Sequence, residues 1–346
     1  MSRRRWVWIG GAVAALGGGA FALARTMLPE KGAEAEHGAR PRATYGPLVS
    51  DEQWRADQEW VAAGLRRERI TADWTTEVFD RGEGEPMLCI PIVAHVEVIY
   101  ARQVREFARD HRVITYRRPE GQDRPIMLAD RAEEIRQLLD HLGIERVHIV
   151  ARSEGAMVAA EFIRRYPERV RSAVLITIAM DYNVAPLWLT DVKNWLMLHF
   201  PPAAMLVTDD AVRHEVVSYL SGEDQRLTYD QLMEVYRNIP DFKKMYKYSA
   251  APLLVYHDLR GKAQRLPPPT LLIGSEEDPR ATRADLEELA AALPDCRGLH
   301  MLPHGGHFVN YVQGDEVNQL MRGFYERLSA DSRQPSAVGS EQSAVS

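Results

Sequence analysis

The chain has 346 residues, of which 45% are hydrophobic and 27% are charged. This balance is ordinary for a globular protein, and the length allows one large domain with an inserted subdomain. A formal net charge of -6 argues against nucleic acid as the main partner, because binding the phosphate backbone needs a positive surface. The chain has only two cysteines, Cys89 and Cys296, so it indicates neither a disulfide framework nor a metal cluster.

The amino-terminal segment 1–28 is predicted to lie outside the folded domain. Arg3, Arg4 and Arg5 precede an uncharged run, 6–24, that ends in a small-x-small site, and this is the layout of an export signal. The order of residues around the arginines also resembles a twin-arginine signal. The alternative is an uncleaved membrane anchor, since about 20 apolar residues can span a bilayer. We therefore expect a periplasmic or extracellular protein, or else one that associates with a membrane through 6–24.

A polar, proline-dotted linker is predicted at 29–49, followed by the first helix of the fold. Ser50 is a suitable helix start, and Gln53 stands where a reciprocal cap would place it. Apolar positions within 54–65 recur at helical spacing, which predicts an amphipathic helix whose aromatic residues belong to the core.

Strands and helices then alternate along the chain. Strands are predicted at 75–79, 87–93, 113–116, 147–150, 173–178, 269–274 and 299–302. Helices are predicted at 98–108 and 128–142, with a further helix opening at Gly155. This alternation favours an α/β fold class, with a mostly parallel sheet covered by helices on both faces. The core is expected in two parts, 50–180 and 267–329.

Ser153 lies at a sharp turn between a strand and a helix. The β-branched strand 147–150 ends just before it, and small residues follow from Gly155 onward. Such a turn lifts the serine Oγ above the sheet, and small neighbours let the strand and the helix approach closely. Ala151 takes the place of the first glycine in a Gly-x-Ser-x-Gly motif. The turn therefore predicts a nucleophilic serine.

An acid and a base follow the last two predicted strands. Asp278 comes after the penultimate strand and His307 after the last one, which gives the chain order Ser, Asp, His. Glu277 and Asp181 remain alternative acids, and His304 remains an alternative base. Because all these positions follow strand ends, we expect the side chains to meet at one edge of the sheet.

These motifs together resemble the serine-nucleophile branch of the α/β-hydrolase family, over about residues 70–328. The resemblance implies an α/β-hydrolase fold with a helical cap inserted at 181–266. It also implies a triad of Ser153, His307 and Asp278 that hydrolyses a carboxylic ester or thioester through an acyl-enzyme. Neither a cofactor nor a metal ion is expected. The large apolar residues of the cap favour a small-molecule substrate with an apolar group.

The same resemblance places the oxyanion hole at two backbone N–H groups. One is expected from Glu154, and the other from Val93, with Ile92 as the alternative. The loop 90–95 has no glycine, whereas the family often has one there. Losing one such donor lowers the rate by roughly 10² to 10³. If this loop does not supply the donor, we expect a slow or specialised esterase instead of a vigorous one.

The charges beside the nucleophile raise a further question. A Glu154 carboxylate about 6 Å from the oxyanion would oppose it by roughly 2 to 3 kcal/mol. We expect Glu154 to point outward into solvent, or else to pair with a cation such as Arg152. For Arg117 and Arg118 we favour a structural ion pair over binding of an acidic substrate.

Two other classes of function stay open. A family member recruited to elimination, cyclisation or acyl transfer would share the triad, and an inactive binding protein would share only the fold. The serine nucleophile disfavours dehalogenase and epoxide-hydrolase chemistry, for which similar proteins use an aspartate. The segment 330–346 has no apolar period and is predicted to be a disordered tail.

Overall fold

A computed structural model describes residues 49–93, 96–120, 123–181, 213, 217, 229–278 and 280–333. The predicted export signal, almost all of the predicted linker and most of the predicted tail lie outside these residues. Within the described part of the chain, no helix combines the length and apolar character needed to cross a membrane.

Eight strands form a single sheet in the order β1-β2-β4-β3-β5-β6-β7-β8. Their bounds are β1 Leu65–Arg69, β2 Thr75–Arg81, β3 Glu85–Ile90, β4 His111–Tyr116, β5 Val147–Arg152, β6 Val170–Ile176, β7 Thr270–Ser275 and β8 Cys296–Leu302. The strands from β3 to β8 are parallel, whereas β1 and β2 pair antiparallel at one edge. The carboxyl ends of the parallel strands therefore share one edge of the sheet.

Helices connect the strands and cover the sheet. The α-helices of the described residues are α1 Asp51–Gly64, α2 Ala101–Phe107, α3 Leu128–His141, α4 Glu154–Arg165, α5 Tyr229–Arg237, α6 Phe242–Met245, α7 Ala251–Tyr256, α8 Arg283–Ala292, α9 Val309–Val312 and α10 Gly314–Arg333. Short 3₁₀ turns lie at Glu97–Tyr100, Pro167–Arg169, Ala263–Arg265 and Gly306–Phe308, and a π-helical turn lies at Tyr246–Ala250.

Two apolar clusters lie on opposite faces of the sheet. In β3, Met87 and Cys89 belong to the cluster that also contains residues of α1, α2 and α10. Leu88 and Ile90 belong to the other cluster, with residues of α3, α4 and α8. Successive side chains of a strand point to opposite faces, so a central strand covered on both sides is apolar throughout. This confirms the predicted α/β architecture with helices on both faces.

The edge of the sheet differs from the sequence prediction. The first helix ends at Gly64, where only glycine fits, since a Cβ atom would lie 2.1 Å from the ring of Phe79. The next residues form strand β1, which was not predicted. Arg66, Arg67 and other charged residues occupy this edge strand, so it lacks the apolar alternation that identifies buried strands. At the start of α1, Ser50 accepts the N–H of Gln53 as expected, at 3.1 Å.

Several other element ends also shift. Strand β3 ends at Ile90 rather than at residue 93, because Pro91 has no N–H to continue the ladder. Helix α10 continues to Arg333, so its last residues fall within the predicted tail. Of the predicted cap, 181–266, the described part from Tyr229 onward is largely helical, and Leu232, Tyr236 and Phe242 are buried there. Residues 182–212, 214–216 and 218–228 of the predicted cap lie outside the described residues.

Candidate active site

The turn at Ser153 has the strained geometry that its sequence predicts. Ser153 has φ 49° and ψ -120°, a conformation that non-glycine residues rarely adopt and that costs about 1–3 kcal/mol. Its N–H still continues the sheet, with a 2.9 Å bond to the carbonyl of Ile176. Gly155 is required, because a Cβ atom there would lie 2.7 Å from the carbonyl oxygen of Ile90. Ala151 is fully buried in an apolar cluster, so its extra methyl group is accommodated.

Three of the predicted site residues form a continuous chain of hydrogen bonds. The Oγ of Ser153 lies 2.7 Å from Nε2 of His307, and Nδ1 of His307 lies 2.9 Å from Oδ2 of Asp278. The exposed fractions are 8% for Ser153, 1% for His307 and 4% for Asp278. The three residues follow strands β5, β8 and β7, whose carboxyl ends share one edge of the sheet. In this geometry the Ser153 hydroxyl donates to His307, which in turn donates to Asp278.

Electrostatics keeps the pair of His307 and Asp278 in the protonation states that this chain of bonds needs. Burial lowers the pKa of His307 and outweighs the opposing attraction of Asp278, while the Arg152 guanidinium lowers it further. Burial would raise the pKa of Asp278, but His307 and the N–H groups of Arg280 and Ala281 hold it below its usual value. A neutral imidazole beside an ionised carboxylate can accept a proton from the serine.

The alternative acids and base are paired elsewhere. Glu277 accepts from His304 at 2.8 Å and from the N–H of Gly305 at 3.0 Å. Asp181 forms an ion pair with Arg260. The imidazole that reaches Ser153 is therefore the one bonded to Asp278, and Glu277 instead secures the loop that carries His307.

Glycine and a buried serine shape the loop before His307. Gly305 and Gly306 have φ of 101° and 51°, in the left-handed region that favours glycine. The buried Oγ of Ser275, at the end of β7, accepts the N–H of Gly306 at 3.1 Å and that of Glu277 at 3.3 Å. One hydroxyl thus ties the loop of the acid to the loop of the base. Sequence reasoning missed this residue, because its only signal is its position at a strand end.

The predicted oxyanion donors follow β3 and β5. Glu154 is the first residue of α4, where the N–H groups have no partner within the helix. Val93 is buried after the end of β3. The Tyr100 hydroxyl donates to the carbonyl of Ile90 at 2.8 Å and accepts the N–H of Arg152 at 3.0 Å, so it links the ends of both strands. Sequence reasoning missed Tyr100. The assignment of the two donors stays a prediction.

The expected orientation of Glu154 is wrong. Its side chain is buried and accepts a hydrogen bond from Arg118 rather than from Arg152. Arg152 instead donates through Nε to the carbonyl of His307 at 2.8 Å and lies over the ring of Phe308. The preferred interpretation of Arg118 as part of a structural ion pair is confirmed. Arg117 likewise pairs with glutamates, Glu77 and Glu97.

Comparison with known families agrees with this architecture. Residues 104–313 match the family model described as the alpha/beta hydrolase fold, which is more than half of the 346 residues. The chain belongs to the α/β-hydrolase fold family, which confirms the predicted fold and family.

Individual relatives extend the comparison. Over 217 residues the chain is 28% identical to a protein proposed to be the carbamate hydrolase RutD, from Pseudomonas savastanoi pv. phaseolicola, covering 61% of this chain and 82% of that protein. It is 27% identical over 198 residues to the 2-hydroxy-6-oxo-6-phenylhexa-2,4-dienoate hydrolase of Comamonas testosteroni, covering 55% of this chain and 66% of the relative. A thermophilic esterase from Thermogutta terrifontis has a similar fold, with a TM-score of 0.60, 19% identity, and coverage of 76% of this chain and 99% of the esterase. The chain is therefore an enzyme of the α/β-hydrolase type.

Proposed function

We propose that the protein is a serine hydrolase that cleaves a carboxylic ester or thioester through an acyl-enzyme. The observation that carries this proposal is the continuous chain of bonds from Ser153 through His307 to Asp278. The strained turn at Ser153 supports it, because backbone strain of this kind is concentrated at functional sites.

The geometry suggests a role for each residue. As the Ser153 Oγ attacks the carbonyl carbon, Nε2 of His307 accepts the hydroxyl proton and later returns it to the leaving group. Asp278 holds the imidazole in the tautomer that presents a bare Nε2, and it stabilises the imidazolium. The N–H groups of Glu154 and Val93 would stabilise the oxyanion. Water, activated by the same imidazole, would then release the acyl group.

The relatives support the reaction type more than the substrate. Their names refer to a carbamate and to a 6-oxo-dienoate, which both contain a carbonyl group. Attack on a carbonyl carbon is the step that a triad performs, whereas side chains of the cap select the molecule that arrives. We propose a small substrate with an apolar group, because the described part of the predicted cap is rich in large apolar residues, among them Leu232, Tyr236 and Phe242.

A fluorophosphonate probe tests the nucleophile directly. The full-length protein should be phosphonylated at Ser153, as located by peptide mass spectrometry, and Ser153→Ala should not be labelled. A folded parent that stays unlabelled would contradict the proposal and favour a binding protein on a hydrolase fold. p-Nitrophenyl esters of increasing chain length then test hydrolysis. Labelling without turnover of any ester or thioester would favour the alternative of a non-hydrolytic acyl reaction.

We also propose that the segment 1–28 directs export through its arginines, with membrane anchoring through 6–24 as the alternative. The support is the order of a basic start, an uncharged middle and a small-x-small site. An enzyme exported in this way would meet its substrate outside the cytoplasm.

A further inference from the structure

A largely buried chain of ion pairs, made of five charged side chains, begins beside the nucleophile. Arg118 donates to Glu154, and its Nη2 lies 3.0 Å from Oε1 of Glu120. Arg131 donates to the other oxygen of Glu120 at 3.1 Å and to Glu134 at 2.9 Å. The side chains of Arg118 and Arg131 are 1% and 0% exposed. Each acid in this chain of ion pairs thus has a cationic partner, and Arg118 pairs with both Glu154 and Glu120.

Stability alone does not account for this arrangement. Removing charges from water is costly, and well-packed apolar residues in place of a buried ion pair are often neutral or stabilising. The position of this chain of ion pairs, next to the nucleophile, suggests another role. Glu154 is next to Ser153, and its N–H is one of the two proposed oxyanion donors. Its carboxylate is on the same residue as that donor, one side-chain length from the place where the negative charge of the reaction develops.

We propose that Arg118 is a positioning residue for the nucleophile, which cancels the charge of Glu154 and fixes the turn that presents the Glu154 N–H. This inference rests on the proposed serine-hydrolase function. An uncompensated carboxylate about 6 Å from the oxyanion, at an effective dielectric near 20, would slow its formation by up to about 100-fold. Arg118 makes a glutamate tolerable at a position where its charge would otherwise oppose the reaction.

Two single substitutions change the local charge in opposite directions. Burial raises the pKa of Glu154 and Arg118 opposes that rise, so in Arg118→Gln the carboxyl group should ionise only at higher pH, where its uncompensated charge opposes the oxyanion and slows the reaction. Glu154→Gln removes a negative charge beside the nucleophile and leaves Arg118 paired with Glu120, so the acid limb of the pH–rate profile should move to lower pH. The imidazole of His307 also faces Asp278, Arg152 and Arg280, and all three remain in every variant.

The experiment measures the rate of phosphonylation of Ser153 by a fluorophosphonate from pH 5 to pH 9, in the full-length protein. Arg118→Gln should react up to about 100-fold more slowly toward pH 9, where Glu154 is ionised, and should approach the parent rate toward pH 5. Glu154→Gln should react at least as fast as the parent, with its limb lower. The double variant should return close to the parent profile. Arg118→Lys keeps the charge and should keep most of the rate.

A matched control comes from helix α3. Arg136→Gln also removes an arginine from a glutamate pair, with Glu133, but this pair is half-exposed at the surface. It should leave the rate and the profile unchanged. Circular dichroism checks that each variant is folded. If Arg118→Gln does not fold, Glu154→Gln and Arg118→Lys decide the question.

The outcomes separate the two proposals. If Arg118→Gln were slowed by the same factor at every pH, or were not slowed at all, the role of Arg118 would be overturned while the nucleophile would remain in place. Slow phosphonylation of Glu154→Gln with an unmoved limb would do the same, because it would show a purely structural contribution. A parent that is not labelled at Ser153 would instead overturn the proposed function itself.

Discussion

Gly155 is the position at which one added methyl group tests the geometry of the nucleophile turn. It lies in the first turn of α4, where the helix passes close to the end of β3. A Cβ atom at Gly155 would lie 2.7 Å from the carbonyl oxygen of Ile90 and 3.5 Å from that of Pro91. Both contacts are to backbone atoms, so relief requires the strand end and the helix to move apart.

Two opposing effects determine how much Gly155→Ala changes the free energy of unfolding. Overpacking of a well-packed interior costs about 1–3 kcal/mol. Replacing glycine by alanine in a helix contributes up to about 1 kcal/mol in the other direction. The net expectation is a loss of about 1–2 kcal/mol in the free energy of unfolding. Because Val93 follows Ile90 closely, the same displacement would disturb a proposed oxyanion donor, and the rate should fall more than about tenfold.

Gly323 in helix α10 provides the matched control. A Cβ atom there would meet only the end of the Arg327 side chain, at 3.4 Å. Gly323→Ala should therefore stabilise the protein by about 0.5–1 kcal/mol through helix propensity alone. Urea unfolding, followed by far-UV circular dichroism, measures both variants, and phosphonylation of Ser153 measures the effect on the site.

Gly155→Ala and Gly323→Ala are expected to change the stability in opposite directions, so comparing them tests the contact with Ile90. If Gly155→Ala were as stable as the parent and reacted with the probe at an unchanged rate, the close approach of α4 to Ile90 would not constrain the site. A loss of stability in both variants would show that the effect does not arise from the contact with Ile90.

Three other predictions concern the base, its loop and the amino terminus. Since the pKa of His307 is lowered by burial, the rate should rise with pH through a value below about 6.5, and Asp278→Asn should reduce it by about 10⁴-fold, as p-nitrophenyl ester turnover would show. Ser275→Ala leaves one buried and one partly buried N–H group without their acceptor, so it should cost about 1–3 kcal/mol in thermal unfolding and slow Ser153 labelling. Replacing Arg3 and Arg4 by lysine should retain the protein in the cytoplasm, as cell fractionation would show.

Each of these has an outcome that contradicts it. An acid limb above pH 7 would mean that a group other than a buried neutral His307 controls the rate. A Ser275→Ala variant with parent stability would show that its hydroxyl does not hold the two loops. Export that continues after the change at Arg3 and Arg4, while the same change at Arg66 and Arg67 is also silent, would exclude the twin-arginine route.

Periodic and local features of the fold were predictable from the sequence. The buried strand before Ser153, the glycine after it and the strand-end positions of Asp278 and His307 are all short-range patterns, and each reflects a constraint that neighbouring residues impose on one another. The edge strand Leu65–Arg69 was not predictable in this way. Its charged residues carry no apolar period, and pairing with β2 alone makes it a strand.

The partners of buried charged residues could not be predicted from the sequence. The sequence shows that Glu154 follows the nucleophile and that arginines lie at 117, 118 and 152. It does not show which guanidinium reaches the carboxylate, because 36 residues separate Glu154 from Arg118 along the chain. Arg152 is closer in sequence, yet it points to the carbonyl of His307. Proximity along the chain is a poor guide to ion pairs that long-range packing creates.

The sequence by itself determined the alternation of most strands and helices along the chain, the turn that holds Ser153 and the three residues that follow strand ends. Only the tertiary structure decided that the His307 imidazole reaches Ser153, that Ser275 joins the loops of the acid and the base, and that Arg118 forms an ion pair with Glu154. The physical reason is that backbone conformation follows from local sterics and apolar periodicity. The meeting of side chains from distant strands depends instead on how the whole sheet is assembled.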